Sequence, residues 1–259
     1  MFNIVNKLRI QLEDLIIHKR DFKSLARITF TIVNRRGIAF PWAICNYFNA
    51  PPEFNDGGGD EDFLSELIIP QTGKCLVDIG ASVGGWTFHV AERGFEVFAY
   101  EPSPKAYEIL EERAKTYANV HVFPYALGEK DSIGRLGFTA FGLSGTMDEE
   151  ITIPGGKTID ITVRKLDSLS LPQVGVIKID TEGYEVPILK GAINTIQKYQ
   201  PTLIIEAHQN TGKALETFDQ ELNRLKIILR ELGYKWWIHY RPSGLHDKQP
   251  HIVATHKMN

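Results

Sequence analysis

The chain has 259 residues, of which 43% are hydrophobic and 24% are charged, and its formal net charge is −3. These values are typical of a folded globular protein and exclude a disordered chain. Two cysteines occur, without C-x-x-C or H-E-x-x-H spacing, which argues against a disulfide framework and predicts no structural zinc or metalloprotease site.

Residues 1–70 are predicted to form a helical extension followed by a linker, and residues 71–259 to form the main domain. Phe2, Val5 and Leu8 begin a series of apolar residues at helical spacing. Pro51-Pro52 and the glycines at 57–59 indicate a flexible break before the domain. The extension is therefore expected to be accessory to the domain.

Residues 1–40 form a basic arm, with eight Lys or Arg residues against three Asp or Glu residues. A solvated helix face is the simpler interpretation, and peripheral contact with an anionic membrane is the alternative. No stretch of the sequence is long and apolar enough to span a bilayer, and the N-terminal residues lack the pattern of a signal peptide. We therefore expect a cytoplasmic protein.

The first strand of the domain is predicted at residues 75–80, where the apolar run from Cys75 to Ile79 is typical of a buried parallel strand. It leads into the loop Gly80-Ala81-Ser82-Val83-Gly84 and a helix from about residue 85. Small residues let backbone N–H groups and a helix N-terminus approach a ligand closely. A tight turn without a ligand is the alternative, but the pattern favours a cofactor-binding loop.

The next strand, predicted at residues 95–101, ends at Glu101, which lies 21 residues after Gly80. In α/β nucleotide-binding folds, a carboxylate at this place accepts hydrogen bonds from the ribose hydroxyls. The two strand ends together predict a pocket for an adenosine group.

The glycine spacing indicates which adenosine cofactor fits the pocket. A dinucleotide site requires G-x-G-x-x-G, whereas this loop has Gly80, Ser82 and Gly84. Asp78, at the strand end, would repel a pyrophosphate but could orient a cationic amino-acid tail. S-adenosylmethionine has such a tail and NAD does not, so S-adenosylmethionine is the predicted cofactor.

The remaining predicted elements continue the alternation of strands and helices. They are a helix at 104–117, a strand at 119–123, a hairpin insertion within 128–165, a strand at 174–180, a helix from about 184, a strand at 202–207, a helix at 213–232, and strands at 235–240 and 251–255. Such alternation predicts an α/β fold with a parallel sheet. The insertion is expected near the strand ends, where it could determine substrate specificity.

Acidic residues also follow the strand at 174–180. Asp180 and Glu182 come at its end, and ligands of open α/β sheets bind outside the carboxyl ends of the strands. Helix-start chemistry is the alternative for acids in this segment, and it is the preferred interpretation of Glu185. Lys178 lies on the same face as Asp180 and is expected to pair with it, or else to tune it.

The following strand ends in Glu206 and His208, which are two residues apart and point the same way if the strand extends that far. Neighbouring strands would bring His208 close to Asp180 and Glu182. A carboxylate and an imidazole together could remove a hydroxyl proton while a methyl group is transferred. A hydrogen-bonded structural histidine is the alternative. No metal ligand is predicted, although a divalent metal at Asp180, Glu206 and His208 is left open.

Three motifs, in this order, resemble the FkbM-type S-adenosylmethionine-dependent methyltransferase family. The segment from Val77 to Gly84 is similar to that family's cofactor loop, with Ser82 where asparagine is more usual. Glu101-Pro102-Ser103-Pro104 resembles its ribose-binding motif, and the segment from Ile177 to Glu185 resembles its most distinctive signature. The resemblance covers roughly residues 65–210 and does not include the N-terminal extension.

This resemblance implies a class I methyltransferase fold, which is Rossmann-like, with seven mostly parallel strands, the last one antiparallel, and helices on both faces. It also implies an S-adenosylmethionine-dependent O-methyltransferase that acts on a sugar, glycan or natural-product hydroxyl. The expected cofactor-binding residues are Asp78, Gly80, Ala81, Ser82, Gly84, Thr87, Glu101, Pro102, Ser103, Ala126 and Asp180. The candidate catalytic residues are Asp180, His208, Glu182 and Lys178.

The sequence leaves two other functions open. A nicotinamide-dependent oxidoreductase would explain the spacing of Glu101 but not Ser82 or the missing dinucleotide pattern. A non-catalytic module that binds the cofactor or a glycan would share the fold. The expected partner is a hydroxyl acceptor, and no nucleic-acid partner is expected.

Overall fold

A computed structural model describes residues 64–65, 67–138, 145–146, 157–207, 215–240 and 250–256. The described residues build a sheet of seven strands and a smaller sheet of four. The predicted helical extension, its basic arm and the linker at residues 51–62 lie outside the described residues. Among the helices that are described, none is long and apolar enough to cross a membrane.

The order of the elements follows the predicted alternation. The strands are β1 (Lys74–Ile79), β2 (Glu96–Tyr100), β3 (Val120–Phe123), β4 (Ala126–Leu127), β5 (Ser132–Phe138), β6 (Gly145–Thr146), β7 (Lys157–Arg164), β8 (Gln173–Ile179), β9 (Thr202–Glu206), β10 (Lys235–Tyr240) and β11 (Pro250–Thr255). The helices are α1 (Gly85–Glu92), α2 (Pro104–Ala114), α3 (Glu185–Lys190), α4 (Ile193–Tyr199) and α5 (Leu215–Glu231), and Leu166–Ser168 form a 3-10 turn.

The large sheet has the strand order β10-β11-β9-β8-β1-β2-β3. The pairs β1/β2, β2/β3, β1/β8 and β8/β9 are parallel, whereas β11 is antiparallel to both β9 and β10. This arrangement is the class I methyltransferase fold, and it confirms the predicted seven-stranded sheet with its last strand antiparallel.

Helices cover both faces of the large sheet, as predicted, because neighbouring residues of a strand point to opposite sides. On one face, Val77 and Ile177 pack in a core with Leu189 of α3 and residues of α4 and α5. On the other face, Leu76 and Val176 pack with α1 and α2. Both sides of the central strands are therefore buried, which explains their nearly continuous apolar sequences.

The chain leaves β1 and β8 in opposite directions. From β1 it continues through α1 to β2, whereas from β8 it continues through α3 and α4 to β9 on the other side of the sheet. Ligands of open α/β sheets bind at such a switch point, outside the carboxyl ends of the strands. The topology therefore places a crevice next to the ends of β1 and β8.

The predicted β-rich insertion is confirmed, with its strand at 159–163 lying in β7, but the antiparallel partner of β7 is β5, and the other predicted piece, residues 151–153, lies outside the described residues. The sequence did not indicate β4, which joins this small sheet through β7, or β6, which pairs with the end of β5. Ala126, Leu136 and Val163 form a separate small core in this sheet.

The single helix predicted from about residue 184 is wrong, since the structure has two helices, α3 and α4, separated at Gly191-Ala192. A Cβ atom on Gly191 would lie 1.9 Å from the Gly128 carbonyl oxygen. The break therefore allows the helix to meet the chain just after β4. The predicted helix at 104–117 is also shorter, because α2 ends at Ala114.

Candidate functional site

A cavity of about 250 Å³ opens at the carboxyl ends of β1, β2 and β8. Gly80 and Ser82 line it from the first loop, Glu101 from the end of β2, and Asp180 from the end of β8. Leu136 of the small sheet closes another side. The volume approaches the lower end of small-molecule sites, which hold roughly 300–1,000 Å³. Three predicted strand ends and the insertion thus meet at one site.

The glycine loop is held against the end of β2. The backbone N–H groups of Gly80 and Ala81 both donate to the Tyr100 carbonyl oxygen, at 3.0 and 3.1 Å. Gly84, with φ of 86°, precedes the first turn of α1. Ser82 also has a positive φ, of 50°, which is uncommon for a residue with a side chain. The loop therefore has a defined and partly strained shape beside the cavity.

Gly80 is the point at which the first loop touches the end of β8. Its φ is +82°, and an added Cβ atom would lie 1.8 Å from the Asp180 carbonyl oxygen. No side chain fits there unless the ends of β1 and β8 separate.

The substitution Gly80→Ala is expected to destabilise the protein, because it adds both backbone strain and overlap with Asp180. Gly73→Ala is the matched control, since Gly73 has a similar φ of +74° but open space around the added Cβ atom. We expect Gly80→Ala to lower the free energy of unfolding by about 1–3 kcal/mol more than the control does, the usual scale for overpacking. Denaturant unfolding measures both values, and equal losses would contradict the close contact.

Glu101 is a buried carboxylate whose two oxygens both accept backbone hydrogen bonds. Ser82 N donates to Oε2 and Ser103 N to Oε1, each at 2.8 Å. Burial raises the pKa of Glu101 to about 7, since loss of hydration outweighs the two hydrogen bonds. The nearby carboxylates of Asp78 and Asp180 raise this pKa further. Glu101 therefore joins the two loops that follow β1 and β2.

The raised pKa of Glu101 predicts how stability depends on pH. The ordinary pKa of 4.5 rises to about 7 in the fold, so the folded state holds more protons than the unfolded state between these values. Stability should therefore fall as the pH rises through this window, by about 3 kcal/mol from this group. The substitution Glu101→Gln should remove that loss, as measured by denaturant unfolding at pH 4.5 and pH 8.

Glu96→Gln serves as the control for this measurement, because Glu96 is an exposed carboxylate at the start of the same strand. Subtracting the stability curve of Glu101→Gln from that of the parent gives the contribution of Glu101 alone. The contribution of Asp78, whose pKa is also raised by burial, is common to both curves and cancels. Parallel stability curves for the parent and Glu101→Gln would refute the assignment.

Pro102, Ser103 and Ala126 complete the predicted cofactor side of the cavity, and all three line it. Ser103 is buried and precedes α2, whose first residue is Pro104, a residue favoured at the first helical position. Pro102 and Ser103 directly follow Glu101 in the predicted ribose-binding segment, and Ala126 lines the same cavity from β4.

Asp78 and Thr87, two of the residues expected to bind the cofactor, are fully buried and do not line the cavity. Thr87 Oγ1 donates to Asp78 Oδ2 at 2.6 Å, and Lys178 Nζ lies 3.7 Å from Asp78 Oδ1. Loss of hydration raises the pKa of Asp78, and the charge of Lys178 opposes this effect. Asp78 thus contacts a helix and a neighbouring strand behind the loop.

Asp180 and Glu182 both line the cavity. Lys178 Nζ donates to Asp180 Oδ2 at 3.1 Å, which confirms the expected pairing of these two residues. The Asp180 backbone N–H donates to the Ile79 carbonyl oxygen, so the end of β8 stays joined to β1. Glu182 has a positive φ of 50°, like Ser82 on the opposite loop.

Glu185 has the helix-start role that the sequence favoured. It is the first residue of α3, it is buried, and its Oε1 accepts a hydrogen bond from Gly183 N at 3.0 Å. His208 lies outside the described residues. Glu206 is buried at the end of β9, where it lies 3.7 Å from His251 Nε2 of β11. In the described parts of the chain, no group of three or more His, Cys, Asp or Glu residues is arranged to hold a metal ion.

Comparison with known families decides which protein group this site belongs to. Residues 78–236 match the methyltransferase FkbM domain, which is more than half of the chain. The chain belongs to the FkbM methyltransferase family. The match begins at Asp78 in β1 and ends at Trp236 in β10, so it includes both loops of the cavity.

A curated protein similar to this FkbM chain is the hexuronic acid methyltransferase AglP of Haloferax volcanii. The two are 26% identical over 153 residues, which cover 58% of this chain and 63% of AglP. The chain therefore spans less than two thirds of the length of this relative.

Solved structures also resemble the FkbM chain at low identity. The methyltransferase FkbM from Methylobacillus flagellatus is 19% identical with a TM-score of 0.49, over 94% of this chain and 60% of that one. A putative methyltransferase from Streptococcus mutans, in complex with SAH, is 14% identical with a TM-score of 0.43, over 75% and 93% of the two chains.

Several cavity residues of this FkbM chain were not expected from the sequence. Tyr100, Leu136, Thr181, Tyr184 and Ile188 all line the cavity. Tyr100 directly precedes Glu101, and Thr181 and Tyr184 lie in the signature segment, so their positions offered a signal. Leu136 had none beyond the general expectation that the insertion approaches the strand ends.

Proposed function

We propose that this chain transfers a methyl group from S-adenosylmethionine to a hydroxyl group of a sugar or natural product. The observation that carries this proposal is that Glu101 and Asp180 face one cavity from the ends of β2 and β8, on either side of the glycine loop. In this proposal, Glu101 serves the ribose and Asp180 serves the acceptor at one switch point.

The residues of the cavity fit S-adenosylmethionine. Glu101 uses one lone pair of each oxygen for the backbone and retains others for ribose hydroxyls. Thr181 Oγ1 is buried at the cavity and has no hydrogen-bond partner among the described residues, so it is available to a ligand. Three carboxylates, those of Glu101, Asp180 and Glu182, favour a ligand with cationic groups.

Once bound, S-adenosylmethionine supplies an electrophilic methyl group on a positively charged sulfur. The protein must then hold the acceptor hydroxyl in line with that group and take up its proton. In our proposal, Asp180 accepts this proton at the cavity wall. Glu182 and Tyr184 bind the acceptor on the side formed by the signature loop, and Leu136 of the small sheet excludes water there. We also propose that His208 assists Asp180.

A sugar acceptor is favoured by similarity to AglP, which is described as a hexuronic acid methyltransferase. A polyhydroxylated acceptor also suits a wall that carries Asp180, Glu182 and the Tyr184 hydroxyl, because carboxylates accept hydrogen bonds from several hydroxyls at once. The acceptor class is thus part of the proposal, with natural-product hydroxyls as the other source.

Calorimetric titration tests which cofactor the purified chain binds. S-adenosylmethionine and NAD are titrated separately, each with and without magnesium. Saturable binding of S-adenosylmethionine alone is the expected result. Binding of NAD alone would instead indicate an oxidoreductase. Transfer of a radiolabelled methyl group to neutral sugars, uronic acids and natural-product hydroxyls then tests the reaction, and cofactor binding without transfer to any of them would indicate a non-catalytic module.

A further inference from the structure

A buried chain of polar contacts runs from α1 through the centre of the large sheet to the cavity. Thr87 Oγ1 donates to Asp78 Oδ2 at 2.6 Å, and Lys178 Nζ lies 3.7 Å from Asp78 Oδ1. The same Nζ donates to Asp180 Oδ2 at 3.1 Å. Of the four side chains, only that of Asp180 reaches the cavity wall. The contacts therefore connect a helix behind the loop with the proposed proton acceptor.

The strand register explains why these side chains meet. Asp78 of β1 and Lys178 of β8 are paired across the sheet, so their side chains lie on the same face. Asp180 follows Lys178 by two residues and shares that face. The Trp86 ring of α1 lies 5.4 Å from Lys178 Nζ and covers the ammonium group. Lys178 is thereby held between two carboxylates and an aromatic ring.

Burial of these charged groups costs hydration free energy, which favours a functional role for the arrangement. The side chains of Lys178 and Asp78 are only 5% and 1% exposed, and an ion loses its hydration when it is buried. One carboxylate is enough to balance the lysine, yet a second, that of Asp180, shares it. Of the two carboxylates that share this cation, only that of Asp180 meets the cavity, where its side chain is 21% exposed.

We infer that Lys178 is a positioning residue that keeps Asp180 ionised and directed into the cavity, while Asp78, Thr87 and Trp86 hold Lys178 in place. This inference rests on the proposed function, in which Asp180 accepts a proton. It assigns Lys178, a candidate catalytic residue by its sequence motif, to an indirect role. It also assigns Asp78 and Thr87, candidate cofactor ligands, to support of Lys178.

Several other charged groups lie on the elements packed around Asp180. Among the described residues, Asp78 of β1 and Glu101 of β2 interact with it electrostatically, Glu182 shares the cavity wall, and Glu206 and His251 lie on β9 and β11, the next two strands beyond β8. Asp180 raises the pKa of both Asp78 and Glu101, so these carboxylates act on one another. The carboxylates favour protonation of Asp180, and the Lys178 ammonium, which donates to Asp180 at 3.1 Å, opposes them.

The test is the titration of the Asp180 carboxyl by carbon-13 NMR in the full chain, together with the pH dependence of methyl transfer. Lys178→Met removes the cation, so we expect the Asp180 midpoint and the acid limb of the rate profile to move up by about one to three pH units. Asp78→Asn removes a competing carboxylate and leaves Lys178, so both should move down. Shifts of the Asp180 midpoint in opposite directions in the two variants are therefore the result that supports the inference.

Controls separate this role from others. Lys190→Met removes a lysine that pairs with Glu129 at 3.6 Å on the surface, and it should leave the Asp180 midpoint unchanged. If Lys178→Met fails to fold, the double variant Asp78→Asn with Lys178→Met removes one charge of each sign, and its midpoint should lie above that of Asp78→Asn alone. Equal midpoints in those two variants would overturn the inference.

Two further results would also overturn it. One is a midpoint that does not move, or moves the same way, in Lys178→Met and Asp78→Asn. The other is loss of methyl transfer at every pH in Lys178→Met with an unchanged Asp180 midpoint, which would make Lys178 itself catalytic. If the parent chain transfers no methyl group, the proposed function fails, yet the NMR titration still decides whether Lys178 controls Asp180.

Discussion

Replacing Asp180 with asparagine is expected to lower the rate of methyl transfer by roughly 10²–10⁴-fold, the usual contribution of a general base. An asparagine has the same shape and can still accept a hydrogen bond from Lys178, but it cannot take up a proton. The affinity for S-adenosylmethionine should change far less than the rate. Initial rates with saturating cofactor and acceptor measure the first effect, and calorimetry measures the second.

Asp160→Asn is the matched control for this substitution, because Asp160 is an exposed carboxylate on β7, 77% exposed, that does not line the cavity. Its rate should equal that of the parent. Equal rates in Asp180→Asn and the parent would remove Asp180 from the mechanism. A loss of cofactor affinity as large as the loss of rate would instead make Asp180 a cofactor ligand.

Replacing Glu101 with alanine is expected to weaken binding of S-adenosylmethionine by about 1.5–3 kcal/mol, which is roughly 10- to 150-fold in the dissociation constant. The change removes the proposed acceptor for the ribose hydroxyls. It also leaves the Ser82 and Ser103 N–H groups without their present partner, so both loops lose a common anchor. Calorimetry at pH 8, above the pKa of about 7, compares the variant with the ionised parent.

Glu96→Ala controls for the loss of a carboxylate from β2, since Glu96 lies at the opposite end of the same strand. Its cofactor affinity should match that of the parent. If Glu101→Ala binds S-adenosylmethionine as tightly as the parent does, the assignment of the ribose pocket is wrong. The parent itself should bind more weakly at pH 6 than at pH 8, because protonation of Glu101 removes acceptor capacity.

The sequence predicted the large sheet well, because the central strands are nearly continuous apolar runs with an acidic residue close to the end of each. Asp78 is the last residue but one of β1, Glu101 and Asp180 directly follow β2 and β8, and the carboxyl ends of parallel strands meet at one edge of a sheet. The glycines of the first loop independently predicted a ligand site at this edge. The local sequence pattern and the overall fold agree here, so residue spacing was sufficient to predict the sheet and the edge at which the site lies.

The direction of individual side chains could not be predicted in the same way. Asp78 was expected to face the ligand, but its side chain lies against Lys178, because the two residues are directly paired between β1 and β8. The register between two strands about 100 residues apart cannot be predicted from the sequence of either strand. The break at Gly191 had the same cause, since it depends on contact with Gly128 from a distant loop.

The position of β11 has a consequence for the order in which the domain is built during synthesis. This strand lies between β9 and β10, although both precede it in the chain. Until the ribosome has made residues 250–255, β10 has no sheet partner among the described strands, and the apolar β9 presents an open edge. Such edges pair readily with other chains. The nascent domain therefore exposes these edges until β11 has been made, whereas a sheet extended strand by strand would not.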